Sequence, residues 1–206
     1  MPNVMSEEST VRSIGEQGLL KRLQAFCPAG VIGDDGAVLK VSSDRRLVVT
    51  TDVLIDGVHF SIGLANSIVT TPPHAVGFRA AAANLSDLAA MGATPIGITV
   101  GLSVLPHMPV AWIESLYEGL VDCLGDVPIV GGDVVRSSVF SVAITAFGEV
   151  ASNRVIQRSR ARVGDAIVMT GIHGRSKVGL ELLLGHDLAL NPVDRSACIR
   201  DRKSVV

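Results

Sequence analysis

The chain has 206 residues, of which 48% are hydrophobic, and its formal net charge is -2. That is enough apolar material for one or two domains with a sizeable core. The charge argues against the clustered basic surface of a nucleic-acid-binding protein, and an aromatic content of 3% leaves few platforms for stacked bases. No apolar run reaches the roughly 20 residues of a membrane span, so no membrane partner is expected.

The three cysteines are far apart and lack the spacing of metal ligands, which fits a reducing compartment. The amino terminus is polar and has no signal-peptide pattern. We therefore expect a cytoplasmic protein with a disordered segment over residues 1–13.

The first predicted element is a short amphipathic helix from Glu16 to Phe26. It is followed by Asp34 and Asp35, which lie between two glycines and two apolar flanks. This peptide is typical of a hairpin turn, and a ligand-binding role for Asp35 stays open beside that interpretation.

A run of β-branched residues from Leu47 to Thr51 predicts a buried strand that ends at Asp52. A carboxylate beside the hydroxyls of Thr50 and Thr51 suits a hard cation such as Mg²⁺, which prefers oxygen ligands. His59 follows in the same apolar stretch. A lone histidine is more often structural or solvated than functional.

The segment from Arg79 to Ala93 predicts the central helix, because alanine, leucine and methionine favour helices. Pro72 and Pro73 can open it, and Gly92 can close it. Its small side chains indicate burial, yet it contains Asn84 and Asp87, which share one face. A buried carboxylate needs a cation or a cavity wall; a local cap or salt bridge is an equally open interpretation.

The next elements follow from periodicity and punctuation. They are a half-buried strand over residues 96–104, a helix from Val110 to Leu124, and strands from Val127 to Val130 and from Val139 to Val150. The sequence Gly131-Gly132-Asp133 follows the predicted strand that ends at Val130. The two glycines let backbone come close to a ligand.

Residues 153–162 carry four arginines, which fit either a solvated basic face or a phosphate clamp. A strand from Ala166 to Thr170 and a helix from Lys177 to Leu184 are predicted next. The glycine-rich turn between them can receive an anion but is not a Walker A loop. No periodicity is evident from Asp187 to Val206.

One feature recurs along the chain: an aspartate near the end of an apolar element, beside glycine, threonine or serine. It occurs at Asp35, Asp52, Asp87 and Asp133. Four instances suggest a carboxylate cluster that holds several Mg²⁺ ions and handles polyphosphates. The chain contains no H-E-x-x-H, no G-x-S-x-G and no paired cysteines for zinc.

Four motifs in order resemble the thiamine-monophosphate kinase family: V-I-G-D-D-G-A-V-L, T-T-D-V-L-I-D-G-V-H-F, A-N-L-S-D-L-A-A-M-G-A-T-P and V-G-G-D. This family belongs to the ATP-binding superfamily of aminoimidazole ribonucleotide synthetase. The resemblance covers roughly Gly15 to Leu184. It implies transfer of the γ-phosphoryl group of ATP to thiamine monophosphate, with Mg²⁺ as the metal.

The resemblance also implies roles for individual residues. Asp87 and Asp52 would be catalytic, and His59 would contact the phosphate of thiamine monophosphate. ATP would contact Gly132, Asp133 and Arg158. The implied Mg²⁺ ligands are Asp35, Thr50, Thr51, Asp52, Asp87 and Asp133.

The implied fold class is α/β, an α+β sandwich with a mixed sheet, helices on one face, and sheet pairing in a homodimer. Residues 14–150 would form the ATP- and Mg-binding domain, and residues 151–206 an incomplete start of a second α/β domain. The family's D-x-S-D-G-L motif is absent. We therefore expect Mg²⁺ binding with poor turnover. Another ATP-dependent synthetase, or a non-catalytic dimerisation module, remain the alternatives.

Overall fold

The computed structural model describes residues 9–29, 37–63, 70–169 and 171–205. Helix α1 covers Val11–Leu23 and continues as a 3₁₀ turn over Gln24–Phe26. The predicted first helix is confirmed. A turn capped by Thr10 and Ser13 precedes it, and Gly15 (φ 66°, ψ 178°) forms a kink between the two. Residues 11–13, which the sequence assigned to a disordered tail, are thus helical.

Four strands form one mixed sheet in the order β1-β4-β2-β3. They are β1 (Arg45–Ile55), β2 (Thr94–Val104), β3 (Ile129–Arg136) and β4 (Ser141–Ala151). Strand β4 pairs antiparallel with both β1 and β2, whereas β2 and β3 are parallel. The predicted mixed sheet is confirmed, with β1 and β3 at its two edges.

Helices α2 (Pro73–Ala90) and α3 (Val110–Leu124) pack together against one side of this sheet. The core lies between them and the alternate side chains of the two central strands, such as Val100 and Ile144. We call this side the helix face and the other side the open face. In the described ranges, no helix combines the length and apolarity needed to cross a membrane.

The prediction that the first strand is buried is wrong. Leu47, Val49 and Val53 of β1 are 49%, 52% and 46% exposed, because they point to the open face. Side chains alternate between the two faces of a strand, and only the helix face of β1 is covered. The first and third strands also run further than predicted, so that Asp52 lies within β1 and Asp133 within β3, rather than at or after the strand ends.

Beyond Ala151 the structure differs more from the predicted elements. Residues 166–169 form no strand, and Ile167, Val168 and Met169 are exposed. Thr170 lies outside the described residues. The predicted helix is confirmed as α4 (Arg175–Leu183). A further helix, α5 (Pro192–Val205), packs against α4 and α2. It was not predicted, because its sequence has no evident apolar periodicity.

Candidate functional site

The centre of the candidate site is a contact between β1 and α2. Thr50 Oγ1 donates a hydrogen bond of 2.6 Å to Asp87 Oδ2. Thr50 points to the helix face because it alternates with the exposed Val49. Asp87 lies in the last turn of α2 and is exposed, so the expectation that this carboxylate is buried is wrong. The hydroxyl and the carboxylate therefore meet where the sheet edge touches the helix.

Asp52 belongs to the same region. It lies two residues after Thr50 and so shares its face of β1, where it is half-buried. Helix α2 runs antiparallel to β1, because Asp87 contacts the middle of the strand while Arg79 donates to the carbonyl oxygen of His59, beyond the strand's end. Asp52 therefore faces α2 at a level between Asp87 and Arg79.

Asn84 lies one helical turn before Asp87, on the side of α2 that is buried. Its Nδ2 donates to the carbonyl oxygen of Ala80 over 3.0 Å. Its Oδ1 has no hydrogen-bond partner in the part of the chain that the structure describes. A buried acceptor without a donor costs about 1–3 kcal/mol of stability.

His59 has a defined ring orientation. The backbone N–H of Ile55 donates to His59 Nδ1 over 3.1 Å, so the proton of the neutral ring lies on Nε2. Arg79 holds the carbonyl oxygen of the same residue. His59 thus offers a fixed Nε2–H donor near the amino-terminal half of α2.

Arg158 lies in a 3₁₀ turn at the other end of α2. The segment that leads to it is held there because the N–H of Ile156 donates to the carbonyl oxygen of Met91 over 3.1 Å. A row of residues therefore follows α2, with His59 at one end, Asp52 and Asp87 in the middle, and Arg158 at the other end. The levels of Arg79 and Met91 are roughly 18 Å apart, at a rise of 1.5 Å per residue.

Thr51 and Asp133 do not join this row within one chain. Thr51 points to the open face, where its Oγ1 lies 2.9 Å from Thr145 Oγ1. Residues paired across neighbouring strands point to the same face of a sheet. Asp133 of β3 pairs with Gly101 of β2, Gly101 pairs with Ala143 of β4, and Ala143 pairs with the exposed Val53 of β1. Asp133 is therefore on the open face at the far edge of the sheet, where it accepts from the N–H of Val134.

Comparison with known proteins decides the family. Residues 33–150, more than half of the chain, match the family described as AIR synthase related protein, N-terminal domain. The chain belongs to this family. The matched residues include β1 through to the penultimate residue of β4 and so contain the sheet and both helices that flank the candidate site.

Among members named thiamine-monophosphate kinase, that of Synechococcus elongatus is 51% identical over 92% of this chain and 56% of its own length. The crystal structure of thiamine-monophosphate kinase from Stenotrophomonas maltophilia K279a has a TM-score of 0.71 and 33% identity, over 91% of this chain and 62% of that one. The structure of AaThiL complexed with AMPPCP and TMP has a TM-score of 0.68 and 30% identity, over 97% and 62%. The motif resemblance is thus confirmed.

The chain spans about half the length of the curated relatives it matches. The names of these relatives refer to the longer proteins, whereas the site described above consists of residues of this chain alone.

The donor set near Thr50 suits a hard cation, since it consists of oxygen atoms. Within the described ranges, however, no group of three or more histidine, cysteine, aspartate or glutamate side chains is placed to hold a metal. Asp52 and Asp87 supply two carboxylates, and Asp35 lies outside the described residues. The full set of six ligands stays a prediction.

Two residues of the site were not assigned a role from the sequence. Arg79 is the one arginine in the helix, among alanines and other apolar residues, and that isolation was the available signal. Asn84 was noted only for sharing a face with Asp87. Its unpaired Oδ1 depends on the packing of α2 against the sheet, which no local pattern reveals.

Proposed function

We propose that this protein transfers the γ-phosphoryl group of ATP to thiamine monophosphate and so forms thiamine diphosphate. The observation that carries the proposal is the row along α2, in which a histidine donor, a carboxylate pair and an arginine follow one another. This order suits an acceptor phosphate at His59, a metal at Asp52 and Asp87, and a nucleotide at Arg158. The similarity to thiamine-monophosphate kinases supports the same assignment.

The chemistry needs charge neutralisation more than proton transfer. The acceptor is already an anionic phosphate oxygen, so that no general base is required. Bound Mg²⁺ would supply neutralisation of the phosphate charges as the two anions approach. Thr50, Asp52 and Asp87 would hold the metal through oxygen atoms. Asn84 Oδ1, which has no partner among the described residues, could accept a hydrogen bond from a further polar group.

The remaining residues would orient the two substrates. His59 would donate from Nε2–H to the phosphate of thiamine monophosphate, because Nδ1 already accepts from the N–H of Ile55. Arg158 would contact the phosphates of ATP with its guanidinium group, a geometry that suits phosphate oxygens. We assign Gly132 and Asp133 to the same nucleotide. A Cβ at Gly132 would overlap with the carbonyl oxygen of Val100, so packing requires glycine there as well.

A homodimer is part of the proposal. The open face carries exposed valine and leucine side chains, and in an AIR-synthase-related chain a second copy of the same sheet would cover them. Thr51 and Asp133 both lie on this face. Pairing of two open faces would place both residues in the interface, on the opposite side of the sheet from Thr50, Asp52 and Asp87.

We also propose the domain division at Val150 and a cytoplasmic location. The segment after Ala151 leaves the sheet and forms α4 and α5, which pack mainly on each other. The three cysteines, one in each of three separate parts of the chain, are unpaired. Both features support this part of the proposal.

The test is the formation of thiamine diphosphate from ATP, MgCl₂ and thiamine monophosphate. Asp87→Asn keeps the shape of the side chain and removes its charge, and we expect it to lower the rate by about 100-fold or more, as loss of transition-state charge stabilisation does. The matched control is Asp122→Asn, which removes an exposed carboxylate of α3. In the structure this carboxylate pairs with His74 of α2. Its rate should equal that of the unmodified chain.

Two results would contradict the proposal. One is an equal rate for the unmodified chain and Asp87→Asn. The other is no product at all from a folded chain that also fails to bind AMPPCP in equilibrium dialysis. A folded dimer without either property would favour the non-catalytic dimerisation module, for which the apolar open face is the supporting observation.

A further inference from the structure

Asn84 is an unusual residue for its position. It is 0% exposed, and among the described residues one of its two polar side-chain atoms has a hydrogen-bond partner while the other has none. Because Nδ2 donates to the carbonyl oxygen of Ala80, the orientation of the amide is fixed and Oδ1 is the atom left over. The surrounding residues of α2, including Ala80, Ala81 and Leu88, are buried and apolar. A leucine would suit this environment better, unless a donor reaches Oδ1.

The location of Asn84 indicates what that donor is. Asn84 precedes Asp87 by three residues and therefore shares its side of the helix. Since α2 runs antiparallel to β1 and Asp87 contacts Thr50, a position one turn earlier lies level with the part of β1 that follows Thr50. Asp52 is in that part. Asn84 is thus level with Asp52 along α2, and it is more deeply buried than either carboxylate, since Asp52 is half-buried and Asp87 exposed.

We propose that Asn84 Oδ1 accepts a hydrogen bond from a water molecule that is bound to the Mg²⁺ ion held by Asp52 and Asp87. Mg²⁺ gives up its water reluctantly and keeps several molecules when proteins bind it through one or two carboxylates. Such a water is a strong donor and needs an acceptor on the protein side. Asn84 is then a positioning residue behind the metal rather than a ligand. This inference depends on the metal site of the proposed function.

The first test is Asn84→Leu, which replaces the amide by an apolar side chain of similar size. Without Mg²⁺ the variant should unfold at the same or a higher temperature than the unmodified chain, because it removes an unpaired buried acceptor. With Mg²⁺ it should lose affinity, by about 10–100-fold, as loss of a residue that supports the metal from behind typically does. MgCl₂ titration by calorimetry at constant ionic strength measures the affinity, and thermal unfolding measures the stability.

Two further variants make the test specific. Leu88→Met changes the packing of the next buried residue along α2 at nearly constant volume, and its Mg²⁺ affinity should be unchanged. Asp87→Asn should lose most of the affinity. If Asn84→Leu does not fold, Asn84→Asp replaces it: the added carboxylate should lower the unfolding temperature without Mg²⁺, and Mg²⁺ should raise that temperature more than in the unmodified chain.

The outcomes separate the inference from the function on which it rests. If the unmodified chain and Asp87→Asn bind Mg²⁺ equally or not at all, the metal site itself is wrong and the inference falls with it. If Asp87→Asn loses Mg²⁺ but Asn84→Leu binds it as tightly as the unmodified chain, only the inference is overturned. A lower unfolding temperature of Asn84→Leu without Mg²⁺ would also overturn it, because Oδ1 would then already have a partner.

Discussion

At the residue scale, the side chain of His59 shows how two elements fix one donor. The N–H of Ile55, at the end of β1, occupies Nδ1, while Arg79 from α2 holds the carbonyl oxygen. A histidine in a connecting segment without such contacts would sample both tautomers and several rotamers. Here the ring proton is directed to Nε2, as the proposed contact with thiamine monophosphate requires.

We predict that His59 is the Nε2–H tautomer whenever its ring is neutral. Nitrogen-15 NMR of the imidazole distinguishes the two ring nitrogens directly, and Nδ1 should appear as the unprotonated one. In Arg79→Gln the carbonyl contact is lost, and the two tautomers should become more equally populated. A protonated Nδ1 in the unmodified chain would show that the contact with Ile55 does not form in solution.

Residue spacing was enough to relate some of these side chains but not others. The interval between Asn84 and Asp87 predicted a shared helix face; both residues lie in α2, but Asn84 is buried and Asp87 is exposed. The contact between Thr50 and Asp87 joins distant parts of the chain and requires knowledge of which strand lies under α2. Asp133 lies on the opposite face and edge because of strand order and register, which the local pattern does not contain.

At the scale of elements, the pair α2 and α3 is held at very short distance by two glycines. A Cβ at Gly77 would overlap with the carbonyl oxygen of Leu116, and a Cβ at Gly119 with that of His74. Each glycine therefore lets the backbone of the other helix approach. Since α2 also carries Asn84 and Asp87, this close packing fixes the rotation of the helix that bears the candidate site.

We predict that Gly77→Ala and Gly119→Ala each lower the free energy of unfolding by about 3 kcal/mol, the upper part of the usual range for overpacking, because backbone atoms cannot move aside as a flexible side chain can. Chemical denaturation measures the loss. The control is Gly101→Ala on β2, whose Cβ would have its nearest neighbour at 3.7 Å, an ordinary contact. Equal stabilities for Gly77→Ala and Gly101→Ala would contradict the close packing.

The same scale shows where local patterns succeed. Helix α3 runs from Val110 to Leu124 as predicted, because Pro109 precedes it and its apolar spacing is regular. The predicted strand at 166–169 failed, since an apolar run becomes a strand only beside a partner and none of the described strands pairs with it. Helix α5 was missed because it is mostly polar, although Asn191 accepts from the N–H of Asp194 at its start.

At the scale of the whole molecule, the sheet is covered on one side only. The helix face supplies the core, whereas Leu47, Val49 and Val53 of β1 and Val135 of β3 are exposed on the other side. Apolar residues in such number on one face favour association. The composition predicted enough hydrophobic residues for a core. It could not predict that some of these residues would be exposed on the open face of a single chain.

We predict that the unmodified chain sediments as a dimer and that Val49→Lys shifts it to a monomer, because a charge on the open face would be buried without a partner. Sedimentation velocity over a range of concentrations measures the change. The matched control is Val121→Lys on the outer side of α3, which is also exposed but lies away from the sheet. A dimer that survives Val49→Lys and dissociates with Val121→Lys would place the interface on the helices instead.

The order of the strands also has a consequence for folding during synthesis. Strand β1 ends at Ile55, but β4, its sole neighbour among the described strands, begins only at Ser141. At about 5–20 residues per second, the ribosome needs roughly 5–20 s to make the intervening segment and β4 itself. Throughout that interval β1 has no strand with which to pair, and its valines and leucines are open to nascent-chain aggregation and to chaperones. Thr50, which pairs with Ala146, is therefore fixed in the sheet only after β4 has been made, although its partner Asp87 is synthesised much earlier.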